Sequence, residues 1–292
     1  MFDRIKKDEW IIAIRRKENC LLSRSGGGFK IIPNSLRYWC ADPFLLDIDN
    51  TTFLLFEMYD RLRGKGLIGY RVLKGGKYSK MRVLIDDKGH LSYPFIIKHN
   101  GNYYIMPESN SQKIVYCTKL ECDGENLRIG DKHIVINGKF VDTTLLEYGD
   151  KKYFFTTDLS KGDNVSNLTI FDEKFETKMI LTGEFDKSNA RMGGNFILSD
   201  KDIYRVSQDC SKGYGTGLNF SKINIEGNNY SEQLISKITV SDISLDSNKK
   251  YDGIHTYNFN NDYEVIDLKK SKVINLVRIL GFALVKMGIL KN

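Results

Sequence analysis

Two aspartates, Asp42 in Ala-Asp-Pro-Phe-Leu-Leu and Asp142 in Val-Asp-Thr-Thr-Leu-Leu, stand in matching apolar surroundings. Two carboxylates brought into one pocket suit acid–base or electrostatic work on a sugar: one takes a proton or attacks while the other holds a charge or orients the substrate. Each can also simply cap a strand start by accepting backbone amides. Glu108, in Met-Pro-Glu-Ser, offers a third carboxyl, with Glu57 as its earlier counterpart; both can equally be solvated residues at strand ends. His90, in Gly-His-Leu-Ser-Tyr-Pro, is able to bond a ligand hydroxyl or to sit in a surface turn. Arg191 in Arg-Met-Gly-Gly and Arg205 in Arg-Val-Ser-Gln208-Asp209 add two guanidiniums, whose forked donors suit phosphate or carboxylate. Gly193 and Gly194 would let a ligand approach the backbone closely, and Arg191 has a second option as an ion pair with Asp42 or Asp142.

These residues belong to a repeat. Asp42-Pro-Phe-Leu-Leu, Tyr93-Pro-Phe-Ile-Ile and Asp142-Thr-Thr-Leu-Leu return at about fifty residues, a period of propellers, solenoids or arrays. A degenerate fourth copy reads Arg191-Met-Gly-Gly-Asn-Phe-Ile-Leu, and a fifth His255-Thr-Tyr-Asn-Phe. After each comes a turn of Asp, Asn, Gly or Lys and a second strand closing on Glu57, Glu108, Asp158, Gln208-Asp209 or Asp267, which is the pattern of a hairpin. Further strands at Gly66–Val72, Val115–Leu120 and Asn167–Phe171 give roughly four per unit, and such units around a channel make an all-β, five-bladed β-propeller. Blades are expected at 36–80, 87–135, 138–183, 188–240 and 250–268, with a strand at Trp10–Arg15 completing the last. Inner strands of a propeller start at one rim, so Asp42, Tyr93, Asp142, Arg191 and His255 are expected to face one shared pocket.

The 292 residues, 41% hydrophobic and 12% aromatic with four prolines, describe one domain with a full core. A net charge of +7 with 37 acidic residues interspersed is not the footprint of a nucleic-acid binder; it is compatible with an anionic membrane surface or a phosphate-bearing ligand. The start of the chain carries no apolar run of signal-peptide length, so a cytoplasmic location is expected. Five cysteines without metal spacing read as free thiols. Asp47-Ile-Asp49 and Asp200-Lys-Asp202 fall in hairpin turns, and neither a metal nor a cofactor is expected. From 269 to 292 the alternating pattern stops. Lys269, Lys270, Lys272, Arg278, Lys286 and Lys291 interrupt an apolar stretch without an acid, which is expected to form a basic amphipathic helix after a propeller of 1–268. Such a helix would lie on an anionic leaflet, or pack against the propeller or a partner chain.

Together, Ala-Asp42-Pro-Phe, His90-Leu-Ser-Tyr-Pro, Pro-Glu108-Ser, Asp142-Thr-Thr-Leu, Arg191-Met-Gly-Gly, Arg205-Val-Ser-Gln208-Asp209-Cys and His255-Thr resemble the five-bladed propeller superfamily of arabinanase- and xylosidase-type glycoside hydrolases. They are more similar still to the propeller domain found at the N-terminus of the plant glucosamine inositolphosphorylceramide transferase and in bacterial polysaccharide-biosynthesis proteins. The resemblance implies that Asp42 is the base and Asp142 the aspartate that tunes it. The glutamate that opens the fourth blade of the hydrolases and acts as their acid has no counterpart here. Arg191 or its neighbour holds that register, so ordinary hydrolysis would need Glu108 as acid.

A nucleoside diphosphate leaves as a stabilised anion and calls for cations, not for a proton. The expected function is therefore a glycosyltransferase of surface-polysaccharide or glycolipid biosynthesis, peripheral on the inner face of the membrane. Asp42 would activate a glycan or lipid-linked acceptor, Arg191 and Arg205 would hold the diphosphate of a nucleotide sugar, and His90, Tyr93, Gln208, Asp209 and His255 would line the site. Two alternatives stand beside it: a glycoside hydrolase with Glu108 as acid, and a non-catalytic glycan-binding propeller.

Overall fold

Runs of β-branched and aromatic residues separated by Asp-Asn and Asn-Gly pairs favour hairpins, and hairpins are what the chain forms. At three of the turns both central residues have positive φ, Asp49 and Asn50 at +47° and +62°, Gly75 and Gly76 at +57° and +74°, and Asn100 and Gly101 at +48° and +74°, the conformation whose twist matches that of the flanking strands. The computed structural model describes residues 4–18, 27–160, 162, 167–199 and 202–275.

Strands β1 (Arg4–Arg16) and β2 (Lys30–Ile32) come first. Blade one follows as β3 (Tyr38–Ile48), β4 (Thr51–Asp60), β5 (Lys65–Lys74), β6 (Lys77–Tyr78) and β7 (Arg82–Ile85). Blade two is β8 (Ser92–His99), β9 (Asn102–Glu108), β10 (Ile114–Asp123) and β11 (Asn126–Asn137), and blade three is β12 (Phe140–Tyr148), β13 (Lys151–Asp158) and β14 (Asn167–Asp172). Blade four is β15 (Ile180–Thr182), β16 (Ile197–Leu198), β17 (Ile203–Asp209), β18 (Gly217–Glu226) and β19 (Asn229–Ile238). The last sheet, in the order β2-β1-β21-β20, joins β20 (Tyr257–Phe259) and β21 (Tyr263–Asn275) to the two opening strands. The chain is thus an all-β, five-bladed propeller closed by strands from both ends of the sequence. Among the described residues the helical pieces are two single turns, Asn110–Gln112 and Val240–Asp242.

The break expected at 268/269 falls inside β21. Its pairing with β1 is unbroken from Tyr263↔Arg16 to Asn275↔Arg4, so residues 269–275 are strand, not the beginning of a helix. The reason lies in the partner: β1 begins at Arg4, so that without residues 269–275 its first seven residues would lack a partner on this edge, and it sets Glu9 opposite Lys270. The remainder of the expected helix, 276–292, lies outside the described residues.

Aromatic and branched side chains fill the spaces between blades. One such cluster joins Phe44, Tyr93, Phe95, Phe140, Phe155, Phe196 and Tyr230; burying each contributes roughly 1.5–3 kcal/mol. This packing fixes the inner strands and so the positions of the residues at their upper ends.

Candidate active site

Three inner strands carry the same irregularity. The register of β3 against β4 shifts between Ala41 and Phe44, that of β8 against β9 between Ser92 and Phe95, and that of β12 against β13 between Val141 and Thr144. In each bulge one non-glycine residue takes a positive φ: Asp42 at +48°, Tyr93 at +42° and Asp142 at +54°. Such strain persists where the surroundings over-determine it, typically at functional positions. In blade four the bridge Met192↔Ser207 puts Gly193 at the equivalent place, two residues after Arg191.

Asp42 is buried, and each of its carboxyl oxygens accepts a hydrogen bond. Its Oδ1 accepts from Thr256 Oγ1 at 2.8 Å, its Oδ2 accepts the Tyr93 amide at 3.1 Å, and its own amide donates to Asp267 Oδ2 at 2.9 Å. Asp267 Oδ1 takes the amides of His255 and Thr256, both at 3.0 Å. The His255 ring stacks on Trp10 with centroids 3.8 Å apart, its Nδ1 is 2.7 Å from Asp267 Oδ2, and its Nε2 is 3.4 Å from Asp42 Oδ1. Burial alone would push the imidazole down, but Asp267 and Asp42 outweigh it and hold His255 above its ordinary value. For Asp42 burial dominates; with Asp267 and Asp142 nearby it overcomes the opposing pull of His255 and lifts the carboxyl to about 6.

Asp142 is clamped from blade four. Arg191 Nε donates to its Oδ2 at 2.7 Å, and Gln208 Nε2 to the same oxygen at 3.2 Å while also reaching Met192 O at 2.8 Å. The Arg191 guanidinium lies over the half-exposed Tyr214 ring, 5.1 Å from its centroid. Glu108, opposite Ser92 on β9, accepts from Ser92 Oγ at 2.7 Å. Burial and the Asp142 carboxylate lift Glu108 to about 7, against the opposing charge of Arg191. Glu57 holds the matching position on β4, opposite Ala41. Burial, Asp42 and Glu108 hold it well above the usual carboxylate range. His90 is half-exposed beside it, with Nε2 3.3 Å from Glu57 Oε1, and is pushed down by burial and Lys65.

The fold therefore gathers Asp42, Glu108, Asp142, Arg191, Gln208 and His255 at one mouth, with His90 at its edge. Tyr93, Arg205 and Asp209 stand elsewhere. The Tyr93 ring is fully buried and crosses the channel, its hydroxyl meeting Thr144 Oγ1 at 2.9 Å and the Gly194 amide at 3.0 Å, so it has no face left for a ligand. Arg205 is equally buried and grips Glu232 through Nε at 2.6 Å and Nη2 at 2.7 Å. That pairing takes it out of reach of a donor diphosphate. Asp209 binds Lys237 and caps a turn through the Ser211 amide.

The two glycines also serve the fold rather than a ligand. A Cβ on Gly194 would meet Tyr257 O at 2.0 Å, and one on Gly193 would meet His255 O at 3.1 Å, so they are where the backbones of blades four and five touch. This contact is why blade four carries no carboxylate in the bulge register: there is no room for a side chain.

The residues not foreseen at the site are Trp10, Tyr214, Thr256 and Asp267. Asp267 had a signal in the sequence, since it closes the fifth copy where Glu57 and Glu108 close the first two. Among the described residues the one group convergent enough for a metal ion is Asp42, His255 and Asp267, with ligand atoms within 4.8 Å of one another. The hydrogen bonds just given occupy both carboxylates, so a cation there would have to displace contacts that close the ring.

The fold defines the class: a five-bladed β-propeller, in which the described residues at the channel mouth set several carboxyls against Arg191 and His255. A likeness to a family 117 glycoside hydrolase of Zobellia galactanivorans, with a TM-score of 0.51, 13% identity and 90% of each chain covered, accords with the fold. An α-L-arabinanase of Cellvibrio cellulosa aligns with a TM-score of 0.48 at 15% identity over 68% of this chain and 77% of that one. The chain belongs to the family described as glucosamine inositolphosphorylceramide transferase 1, N-terminal, which matches residues 33–277. Glucosamine inositolphosphorylceramide transferase 1 of Arabidopsis thaliana is 26% identical over 253 residues, 81% of this chain and 32% of the relative. That of Oryza sativa subsp. indica is 29% identical over 197 residues, 63% and 26%. The chain thus spans a third or less of the length of these relatives.

Proposed function

We propose that this chain is a carbohydrate-active enzyme that moves a glycosyl group to an acceptor hydroxyl in the assembly of a cell-surface glycan or glycolipid, with Glu108 as general acid and Asp42 as general base. The observation that carries this reading is the pair itself: two carboxyls at one mouth, the half-buried Glu108 and the buried Asp42, lifted to about 7 and about 6 by different surroundings. Groups whose environments set them apart near neutral pH are those that divide acid and base roles. Glu108 gives its proton to the leaving oxygen as the glycosidic C–O bond breaks. Asp42 takes the proton of the incoming hydroxyl as the new C–O bond forms. Arg191 and Gln208 hold Asp142 in place, where its charge supports the electron-poor sugar carbon in the transition state. The transferase name of the plant relatives supports transfer over hydrolysis, with water as the competing acceptor.

A second reading is favoured by the exposed part of Arg191, which could meet the diphosphate of a nucleotide-sugar donor. A thermal-shift screen against nucleotide sugars and neutral oligosaccharides separates the two, because a ligand that binds only the folded chain raises Tm. Stabilisation by oligosaccharides and their cleavage or transfer, lost in Glu108→Gln, supports the first reading. Stabilisation by nucleotides, lost in Arg191→Ala, would move the donor to the second. Attachment to the inner face of the membrane through the basic, apolar stretch 276–292 belongs to the same proposal, and its test is liposome co-sedimentation with and without that stretch.

A further inference from the structure

Blade one presents polar atoms that the acid–base mechanism leaves unused. Ala41 pairs with Glu57 and Trp39 with Tyr59 across β3 and β4, and residues two apart in a strand share a face, so all four lie on one side of the sheet. The rings of Trp39 and Tyr59 stack 4.5 Å apart at 7°, and Tyr59 remains partly exposed. Glu57 Oε1 and Trp39 Nε1 are both buried without a hydrogen-bond partner. His90 Nε2 lies 3.3 Å from Glu57 Oε1.

The imidazole is held in one tautomer. The Gly66 amide donates to His90 Nδ1 at 2.9 Å, so the ring proton sits on Nε2, the nitrogen beside Glu57. A bare Gly66 is required for this approach: a Cβ there would meet Leu91 O at 2.3 Å and Glu57 Oε1 at 2.7 Å. Buried polar atoms are ordinarily paired, and unpaired ones concentrated on one face at the edge of a site are what a bound ligand would complete.

We propose that this face is a sugar subsite beside the acid–base pair, in which the Glu57 carboxyl and the His90 Nε2–H bond hydroxyls of an uncharged sugar ring set against the Trp39–Tyr59 pair. Its chemical class rests on the glycosyl reading given above. The carboxyls of Asp42, Glu108, Asp267 and Asp142 all act with burial to keep a proton on Glu57, so it donates to the ligand. A ring carrying its own carboxylate or phosphate would face that same array and be repelled. Glu57 and Glu108 share one register in successive blades, which gives a repeated carboxyl two separate tasks, one binding and one catalytic.

Saturation-transfer NMR with the methyl glycosides of glucose, galactose, xylose and N-acetylglucosamine tests this. At least one is expected to bind the intact chain, with Glu57→Gln within about threefold because the amide still donates, and with Glu57→Leu and His90→Ala weakened tenfold or more. Binding unchanged in both Glu57→Leu and His90→Ala, or by none of the four glycosides, overturns the subsite. His90→Ala keeps the test open should Glu57→Leu fail to fold. Failure of the subsite and of the catalytic reading are separable: Glu108→Gln abolishing turnover while Glu57→Leu leaves KM unchanged removes only the first, and glycoside binding lost in Glu57→Leu without turnover by the intact chain removes only the second.

Discussion

The carboxylate of Asp267 holds the Asp42 amide at 2.9 Å and thereby ties the closing blade to the first directly beneath the candidate base. The same side chain, fully buried, accepts two further amides. Removing it leaves those donors and His255 without their partner, so Asp267→Ala is expected to lower stability by about 3–5 kcal/mol. Urea unfolding measures this, and a loss under about 1 kcal/mol would show that the closure does not depend on the carboxylate.

Activity should be confined to a narrow range of pH. The base works once Asp42 has lost its proton, above about 6, and the acid works while Glu108 keeps its own, below about 7. A plot of kcat/KM is expected to be bell-shaped between those values. Asp42→Asn and Glu108→Gln should each reduce kcat at least ~10²-fold, as loss of an acid or base typically does. A flat profile from pH 5 to 8 would contradict both assignments.

Stability should fall as pH rises through the same range. An unfolded carboxyl releases its proton near pH 4, whereas folded Asp42 keeps it to about 6 and Glu108 to about 7, so the folded state binds more protons in between. His255, raised by its carboxylates, works in the same sense, its stabilisation complete below its unfolded value and lost as pH climbs through its higher folded one. Asp86 works oppositely: chiefly its bond with Arg63 lowers it to about 2, so its contribution is present at ordinary pH and lost toward that value. Calorimetry is expected to give a higher Tm at pH 5 than at pH 8, with the difference reduced in Glu108→Gln.

Gly194→Ala should disrupt the seam between blades four and five. The added Cβ would overlap Tyr257 O, and φ at Gly194 is +138°, a region closed to other residues. A loss above about 3 kcal/mol is expected, in the class of backbone strain combined with overpacking. An unchanged denaturation midpoint would refute the close packing.

Arg205 is predicted to matter for folding and not for ligands. Arg205→Met strands Glu232 and should cost about 3–5 kcal/mol, while Arg205→Met with Glu232→Leu should restore most of it. The double variant is expected to give the same thermal-shift response to sugars as the unaltered chain. A selective loss of nucleotide binding would return Arg205 to the site.

The sequence shows the blades clearly because each repeats an apolar inner strand, a turn rich in Asn and Gly, and a second strand ending in an acid. Asp42, Asp142 and Glu108 are legible for the same reason. Equal registers do not give equal surroundings, and this is where the reading parts from the structure. Tyr93 shares the bulge of Asp42, yet a long ring in that position is directed across the channel to Gly194. Arg191 reaches Asp142 from two residues before the bulge because guanidinium reach, not register, decides the contact. Arg205 lies on the opposite face of the sheet from Gln208 because residues alternate along β17, and Glu232 waits on that face of blade four. The strand at 269–275 was hidden because its partner is at the other end of the chain, and a local apolar and basic pattern does not show a distant edge.

Asp42 meets Thr256 and Asp267 across 214 and 225 residues of sequence. On a ribosome, the first four blades can emerge and pair internally while the candidate base still lacks these partners. The ring of charge assembles only when β21 slides between β1 and β20. Non-local closure of this kind is slow, so a chain lacking β21 would contain nearly all of the β-structure and an incomplete candidate site. Arrival of β21 would then act as an inherent timer, separating the folding of the other blades from the completion of the candidate site.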